Sequence, residues 1–224
     1  MRRGLAVVIP AMNEEKTIAA AVASAIRAGA MEVVVADGGS RDATPTRAIE
    51  AGARVLACPA MRSRQMNLGA AETTAGVLLF LHADSELPEH AAAAIEEAME
   101  QGVRFGGFRV EFVETVPRLR LAARMINTRT SLTRCPWGDQ GQFIAREDFE
   151  SAGGFREIPL MEDYALAVEM KRRARTCVLP LKVRTSGRRF LKKGLLRTAV
   201  INWSIITGYR LGIDPHKLAR WYRK

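Results

Sequence analysis

The chain has 224 residues, 48% hydrophobic and 26% charged, with a net charge of +10 at pH 7, proportions that suit one soluble globular domain with a sizeable core. Its three cysteines, Cys58, Cys135 and Cys177, lie far apart with no CxxC pair or histidine cluster, which argues against a zinc site or disulfide scaffold and suits a reducing cytosol. No stretch is long and apolar enough to span a membrane, the longest candidate being 198-TAVINWSIITGY-209.

The opening MRRGLAVVIPAMNEE holds a basic pair and an apolar run that Pro10 and Asn13-Glu14-Glu15 cut short. The run is too short for a signal peptide and reads as a first strand, Leu5 to Ile9. Residues 14–28 suit a helix that stops near Gly29, with Asn13 as its cap and Glu14 and Glu15 at its positive end. Met31 to Ala36 reads as a strand, 42–51 as a helix, Arg54 to Ala57 as a strand and 61–72 as a helix. Val77 to Leu81 is again strand-like, and Pro88 to Met99 reads as a helix begun by its proline. This alternation predicts βαβ units and a parallel sheet with helices on both faces. Ligands bind such sheets at the carboxyl ends of the strands, where Asn13, Asp37 and Asp84 fall.

Beyond residue 100 the pattern changes. FGGFRVEFV alternates like a half-exposed strand, and 117–130 reads as a basic amphipathic helix. RCPWGDQGQ is a loop, followed by a short strand FIA and a helix starting at Arg146. A helix over 162–173, two strand-like runs (175–180 and 181–185), a long helix from about 192 to 211 and a short one from 215 complete the chain. Residues 171–224 carry 16 Lys or Arg and one acid, a balance of +15, against 18 basic and 23 acidic residues, −5, in 1–170. Such asymmetry signals an anionic partner (nucleic acid, a membrane surface or a phosphorylated substrate) or else a solvated basic tail.

Five segments can carry chemistry. In 36-ADGGSRDAT-44 the glycines make a turn and Ser40 or Asp42 caps the next helix, while Asp37 can accept from a base N–H or a ribose hydroxyl; no GxGxxG is present, which disfavours a dinucleotide site. In 9-IPAMNEEKTI-18 the proline can fix backbone groups against a flat base. In 79-LFLHADSELP-88, Asp84 suits a divalent cation that bridges a diphosphate, since phosphate and water fill the remaining positions, and His82 sits two residues away on the same side of an extended chain. Read alone, Asp84 is also an ordinary turn residue. In 159-PLMEDYAL-166, Glu162 and Asp163 either stabilise a helix dipole or supply a general base. In 135-CPWGDQGQF-143, Trp137 either stacks on a sugar face or packs in the core.

In this order, IPAMNEE, ADGGSRDAT, NLGA, LFLHADSELP, GGF and MED resemble the family 2 glycosyltransferases, from about Leu5 to Leu166, and within them a small bacterial subgroup with LHAD in place of DxD. The resemblance implies an α/β GT-A (Rossmann-like) fold, a central mostly parallel sheet with helices on both faces, over 1–190, with a basic C-terminal helical tail, 191–224, packed on the same domain. It implies an inverting hexosyltransferase that uses a UDP- or GDP-linked sugar. Pro10, Asn13, Glu15, Asp37, Arg62, Gln65 and His82 would line the nucleotide, with Asn67 in the same flanking segment. Asp84 would hold Mg²⁺ or Mn²⁺, Asp163 would be the catalytic base with Glu162 beside it, and Trp137, Gly138 and Asp139 would lie on the acceptor side. Arg188 and Arg189 are the tail residues placed to reach the diphosphate.

The departure is His82, which stands where the family's first DxD aspartate would; it can donate to a ribose hydroxyl or ligate a softer metal such as Mn²⁺. The partners implied are the nucleoside-diphosphate sugar and an acceptor that the sequence does not identify, with no nucleic acid. A cytoplasmic location follows, with the tail against the cytoplasmic face of a membrane, on the protein's own core, or on a second copy. Two other readings stand beside this one. A non-catalytic module binding nucleotide or a membrane surface would need no carboxylate at 84 or 163. A nucleotidyltransferase would want a basic glycine-rich loop where PAMNEEKT is acidic.

Overall fold

A computed structural model describes residues 4–223. Four strands open the fold: β1 (Leu5–Ala11), β2 (Glu32–Asp37), β3 (Arg54–Ala57) and β4 (Val77–Phe80), with β1 parallel to β2 and β4, and β2 parallel to β3. Helices α1 (Ile18–Arg27), α2 (Thr44–Glu50) and α3 (Arg62–Ala71) make the crossovers. Then come β5 (Ser85–Glu86), α4 (Ala91–Glu100), β6 (Phe105–Phe112), α5 (Pro117–Thr133), β7 (Gln142–Ala145), α6 (Arg146–Ser151), α7 (Glu162–Arg173) and β8 (Thr176–Thr185). The tail forms α8 (Arg188–Lys193), α9 (Leu195–Arg210) and α10 (Pro215–Arg223). The eight strands make one sheet in the order β3-β2-β1-β4-β7-β6-β8-β5. It is mixed: β4–β7, β6–β7 and β5–β8 are antiparallel, while β6–β8 is parallel.

The central strands are apolar throughout because both of their faces are covered. Successive side chains alternate across the sheet. Val7 and Ile9 join Ile18, Val22 and Ile95 on one side, whereas Ala6 and Val8 join Met66, Phe80, Tyr164 and Met170 on the other. Phe80 meets Phe155 edge-on with ring centroids 4.6 Å apart, which anchors the loop that leads towards α7. The tail belongs to the second layer. Ile205 of α9 and Leu218 of α10 are buried in it, and Arg210 Nε donates to Tyr164 Oη at 2.6 Å.

Several local expectations are corrected. Asn13 caps no helix: α1 begins five residues later, and Asn13 Oδ1 instead accepts from the Arg41 N–H at 2.9 Å. α4 starts at Ala91 behind His90, which has φ 63°, rather than at Pro88. The two strand-like runs after 175 are one strand. Leu179 pairs with Phe108 and Lys182 with Arg109, so Pro180 and Leu181 bulge out of the ladder, where a proline's missing N–H costs nothing. The long tail helix is two helices because Gly194 takes φ 81°, which a helix interior cannot contain. His82 and Asp84 lie in a turn, closed by the Ser85 N–H donating to the His82 carbonyl at 3.1 Å, and not on an extended strand.

Candidate active site

The carboxyl ends of β1, β2 and β4 lie side by side because those strands are parallel and in register, with Ala11 opposite Asp37 and Val8 opposite Phe80. Two loops over this edge lock together. Asp37 is buried, and its carboxylate accepts from the N–H groups of Gly39 and Ser40 at 3.0 and 2.9 Å, shaping its own turn. The Asn13 N–H donates to Ser40 Oγ at 2.8 Å, and Glu15 accepts from the Ala43 N–H at 3.2 Å. Asn13, Glu15 and Asp37 therefore brace the rim. Gln65 on α3 is buried and donates to the carbonyls of Ala11 and Ala36, clamping the ends of β1 and β2. Asn67 faces away and holds Phe155 through its N–H and carbonyl.

Two cavities open on this edge. The first, about 290 Å³, is lined by Pro10, Glu14, Gln65, Asp84 and Arg188, with Arg62 and His82. The second, about 180 Å³, is lined by Trp137, Asp139, Glu162, Asp163 and Arg189, again with Arg62 and His82. Arg62 and His82 are thus the partition between them. A larger hollow of about 590 Å³ lies beside Gly4, Arg27 and His90, away from the strand-end carboxylates. Converging functional groups make the paired cavities the candidate site, and size alone would not.

In the first cavity Arg188 bridges two acids. Its guanidinium binds Glu14, with one contact at 3.1 Å, and meets Asp84 Oδ2 at 3.2 Å. β8 delivers it: Ser85 pairs with Thr185, and the Ser186 N–H donates to the Asp84 carbonyl. Burial raises the pKa of Asp84, Arg188 pulls it back, and Glu14 adds to the rise. The Arg188 side chain is 57% exposed, so this pairing contributes at most ~1 kcal/mol and yields readily to a cation or a polyanion.

At the partition, Arg62 Nε lies 3.1 Å from Glu162 Oε1 and Nη2 lies 3.6 Å from Asp163 Oδ2. The Arg62 side chain keeps 38% exposure although Nε itself is out of contact with solvent. Burial opposes its charge, but Glu162, Asp163, Asp139 and Asp84 hold its pKa above the ordinary value. Burial raises the pKa of Glu162, against Arg62. His82 is pushed well below its ordinary pKa by burial first and then by Arg62 and Arg188, so its ring is neutral at pH 7. Its Nε2 has no hydrogen-bond partner among the described residues.

Asp163 is held at both oxygens. Oδ2 accepts from the Gly138 N–H at 2.7 Å and Oδ1 from the Tyr164 N–H at 2.7 Å, while Met161, just before α7, takes φ 73°. The neighbours, as they stand, leave no room for a side chain at 138. A Cβ there would collide with Arg62 Nη2, and would stand 2.8 Å from Asp163 Oδ2 and 2.9 Å from His82 Nε2. The loop carrying Gly138 is pinned by two buried glutamines. Gln140 accepts from Thr130 Oγ1 and Arg129 Nη2 and donates to the Phe108 carbonyl; Gln142 donates to the carbonyls of Pro136 and Asp163. Arg129 lies 3.3 Å over the Trp137 ring, and Asp139, whose Oδ1 has no hydrogen-bond partner among the described residues, is raised in pKa by burial.

Sequence reasoning passed over Glu14 in favour of Glu15, and passed over Arg129, Gln140, Gln142, Asn202 and Tyr222. Two glutamines flanking a glycine in a loop between apolar runs were the one visible signal. Among the described residues no group of three or more His, Cys, Asp or Glu could hold a metal by itself.

The chain matches the family model described as Glycosyl transferase family 2 over residues 6–149, more than half its length. No curated protein matches it in sequence. It superposes on glucosyl-3-phosphoglycerate synthase from M. tuberculosis in complex with Mn²⁺, UDP and glucosyl-3-phosphoglycerate, with a TM-score of 0.64, 22% identity, and 95% of this chain and 81% of that one covered. The same enzyme with Mg²⁺ and UDP gives 0.63, 22%, 95% and 80%. S. aureus TarS 1-349 gives 0.63 and 18%, covering 82% of this chain and 60% of that one. At these identities the likeness shows the fold, an α/β sheet flanked by helices, of the GT-A type.

Proposed function

The chain belongs to glycosyl transferase family 2, and from that premise we propose that it moves a sugar from a nucleoside-diphosphate donor to an acceptor hydroxyl, with inversion at the anomeric carbon. The observation that carries this reading is the pair of cavities sharing the Arg62–His82 partition, with Asp84 on one side and Asp163 on the other. The donor's nucleotide lies in the cavity of Pro10, Gln65, Asp84 and Arg188, and the acceptor enters the cavity of Trp137 and Asp163. The sugar sits between them, against Arg62 and His82. A hydroxyl entering beside Asp163 is on the face of the sugar away from the diphosphate, which is the approach inversion requires.

Asp163 takes the acceptor's proton as the oxygen attacks. The Gly138 and Tyr164 N–H groups fix its orientation, and each carboxylate oxygen keeps a lone pair for the hydroxyl. Neutral His82 offers an unpartnered Nε2 to a sugar or ribose hydroxyl. Arg62, tied to Glu162, places positive charge beside the departing phosphate. The donor set also fits a divalent cation. Asp84, with Glu14 across Arg188, offers hard carboxylate oxygen and few protein ligands, which suits Mg²⁺ or Mn²⁺ on a diphosphate. Such an ion, when bound, neutralises charge on the leaving diphosphate. A UDP or GDP donor is the form this reading takes, UDP being the nucleotide in the related structures.

The outer face of the tail supports a second element, peripheral contact with an anionic membrane. Leu196, Val200 and Trp203 form one exposed stripe along α9 at 81%, 65% and 73% exposure, and neighbouring α5 also carries exposed apolar side chains, Leu121 and Met125. Arg197 on α9 and Arg118, Arg120 and Arg124 on α5 are exposed as well. Exposed apolar side chains on helices that also carry exposed cations match an acidic lipid surface.

The test of the transferase reading is a thermal-shift screen of UDP, GDP and their hexose conjugates with and without Mn²⁺. Metal-dependent stabilisation by one nucleotide is expected; no shift with any of them removes the account.

A further inference from the structure

Arg188 and Arg189 are adjacent in sequence and face different cavities. Arg188 lies over the donor side, paired with Glu14 and Asp84. Arg189 lines the acceptor cavity with Asp163. Its Nη2 donates to Asn202 Oδ1 at 3.0 Å, and its guanidinium lies 4.2 Å from the centre of the Tyr222 ring. It forms no ion pair with any carboxylate of the described residues. Arg62 and Arg188, the cations that line the donor cavity, each have one. Arg189 is half-buried, and burial lowers its pKa with only distant relief from Asp139.

A half-buried guanidinium fixed by a hydrogen bond and an aromatic face, with donors left over, is preorganised for an anion. The walls around it are Trp137, Leu160, Tyr164, Phe190, Ile205 and Tyr222, so the body between anion and hydroxyl meets apolar and aromatic surface. At about 180 Å³ the cavity suits a small molecule, not a glycan chain.

We propose that this cavity takes a small acceptor carrying a carboxylate or phosphate besides its hydroxyl, with Arg189 holding the anion and Asp163 facing the hydroxyl. The proposal rests on the glycosyl-transfer reading and narrows its acceptor. It also moves Arg189 from the donor's diphosphate to the acceptor. The reaction itself is unchanged: the acceptor oxygen bonds to the anomeric carbon, the bond to the diphosphate breaks, and the proton goes to Asp163.

The test uses the full chain with Mn²⁺ and whichever of UDP or GDP it binds, and measures affinities for two matched pairs by saturation-transfer NMR. One pair is para-hydroxybenzoate against para-hydroxybenzyl alcohol; the other is glycerol phosphate against glycerol. The anionic member of at least one pair is expected to bind about tenfold or more tighter than its neutral partner, and to lose that advantage in Arg189→Gln, with nucleotide affinity unchanged. Which pair responds tells carboxylate from phosphate. Where Arg189→Gln melts early, Arg189→Lys, which keeps the charge but loses the fork, takes its place. Equal binding within both pairs, no binding by any of the four, or an undiminished preference in the variant overturns the proposal. So does a loss of nucleotide affinity instead, which would return Arg189 to the donor. Failure of the wild-type protein to bind any nucleotide sinks the glycosyl-transfer reading itself, and with it the acceptor role of this cavity.

Discussion

The backbone N–H of Gly138 donates to Oδ2 of Asp163 at 2.7 Å, and a methyl group on that glycine would crowd the same oxygen at 2.8 Å. The residue that orients this carboxylate is therefore also the one that leaves room for it. Gly138→Ala must push Asp163, Arg62 or His82 aside, and turnover is expected to fall about a hundredfold with nucleotide affinity kept. Asp163→Asn, which cannot take a proton, should lose ~10²–10⁴ in kcat at unchanged nucleotide affinity. Steady-state rates beside calorimetric affinities decide it; wild-type turnover in either variant refutes the assignment.

Asp84 is the carboxylate that the donor-side reading gives to the cation. Asp84→Ala should abolish the difference between nucleotide affinities measured by calorimetry with and without Mn²⁺. A difference of wild-type size in that variant would place the ion elsewhere.

Asp139 supplies a pH prediction. Burial raises its pKa above the ordinary 3.8, so the folded state holds the proton more tightly than the unfolded chain does. The stability this contributes is fully present below the unfolded value and is lost as pH rises through the raised folded value. Asp139→Asn stays neutral throughout. Its melting temperature relative to wild type should therefore climb as pH rises above the ordinary carboxylate value of 3.8. A pH-independent difference would contradict this.

For the outer stripe, Val200→Glu with Trp203→Glu should abolish co-sedimentation with phosphatidylglycerol vesicles while leaving nucleotide affinity intact. Both residues are exposed, so the fold should tolerate the change. If the variant instead turns a dimer into a monomer and never bound vesicles in its wild-type form, the stripe is a contact between copies of the chain.

Much of this was legible in sequence where the signal is local. The buried strands announce themselves because both faces of each are covered, and α7 spans 162–173 as its pattern implies. What stayed hidden depends on partners distant in the chain. Ser85 and Thr185 are 100 residues apart, yet their pairing makes β5 and carries Arg188 to Asp84. The choice between Glu14 and Glu15 turns on one residue of loop geometry, set by a bond from Asn13 to the opposite loop. The bulge at Pro180 and the break at Gly194 are single backbone events inside runs whose composition reads as continuous. Arg188 and Arg189 read as equivalent basic residues, and only the packing of α9 and α10 sends the second to Asn202 and Tyr222.

Helix α8 has six residues and lies between Gly187 and Gly194. Arg188 and Arg189 occupy its first turn, one lining each cavity, so a single short stretch of backbone fixes where both guanidiniums stand, and α8 is a wall common to the two cavities just as Arg62 and His82 are.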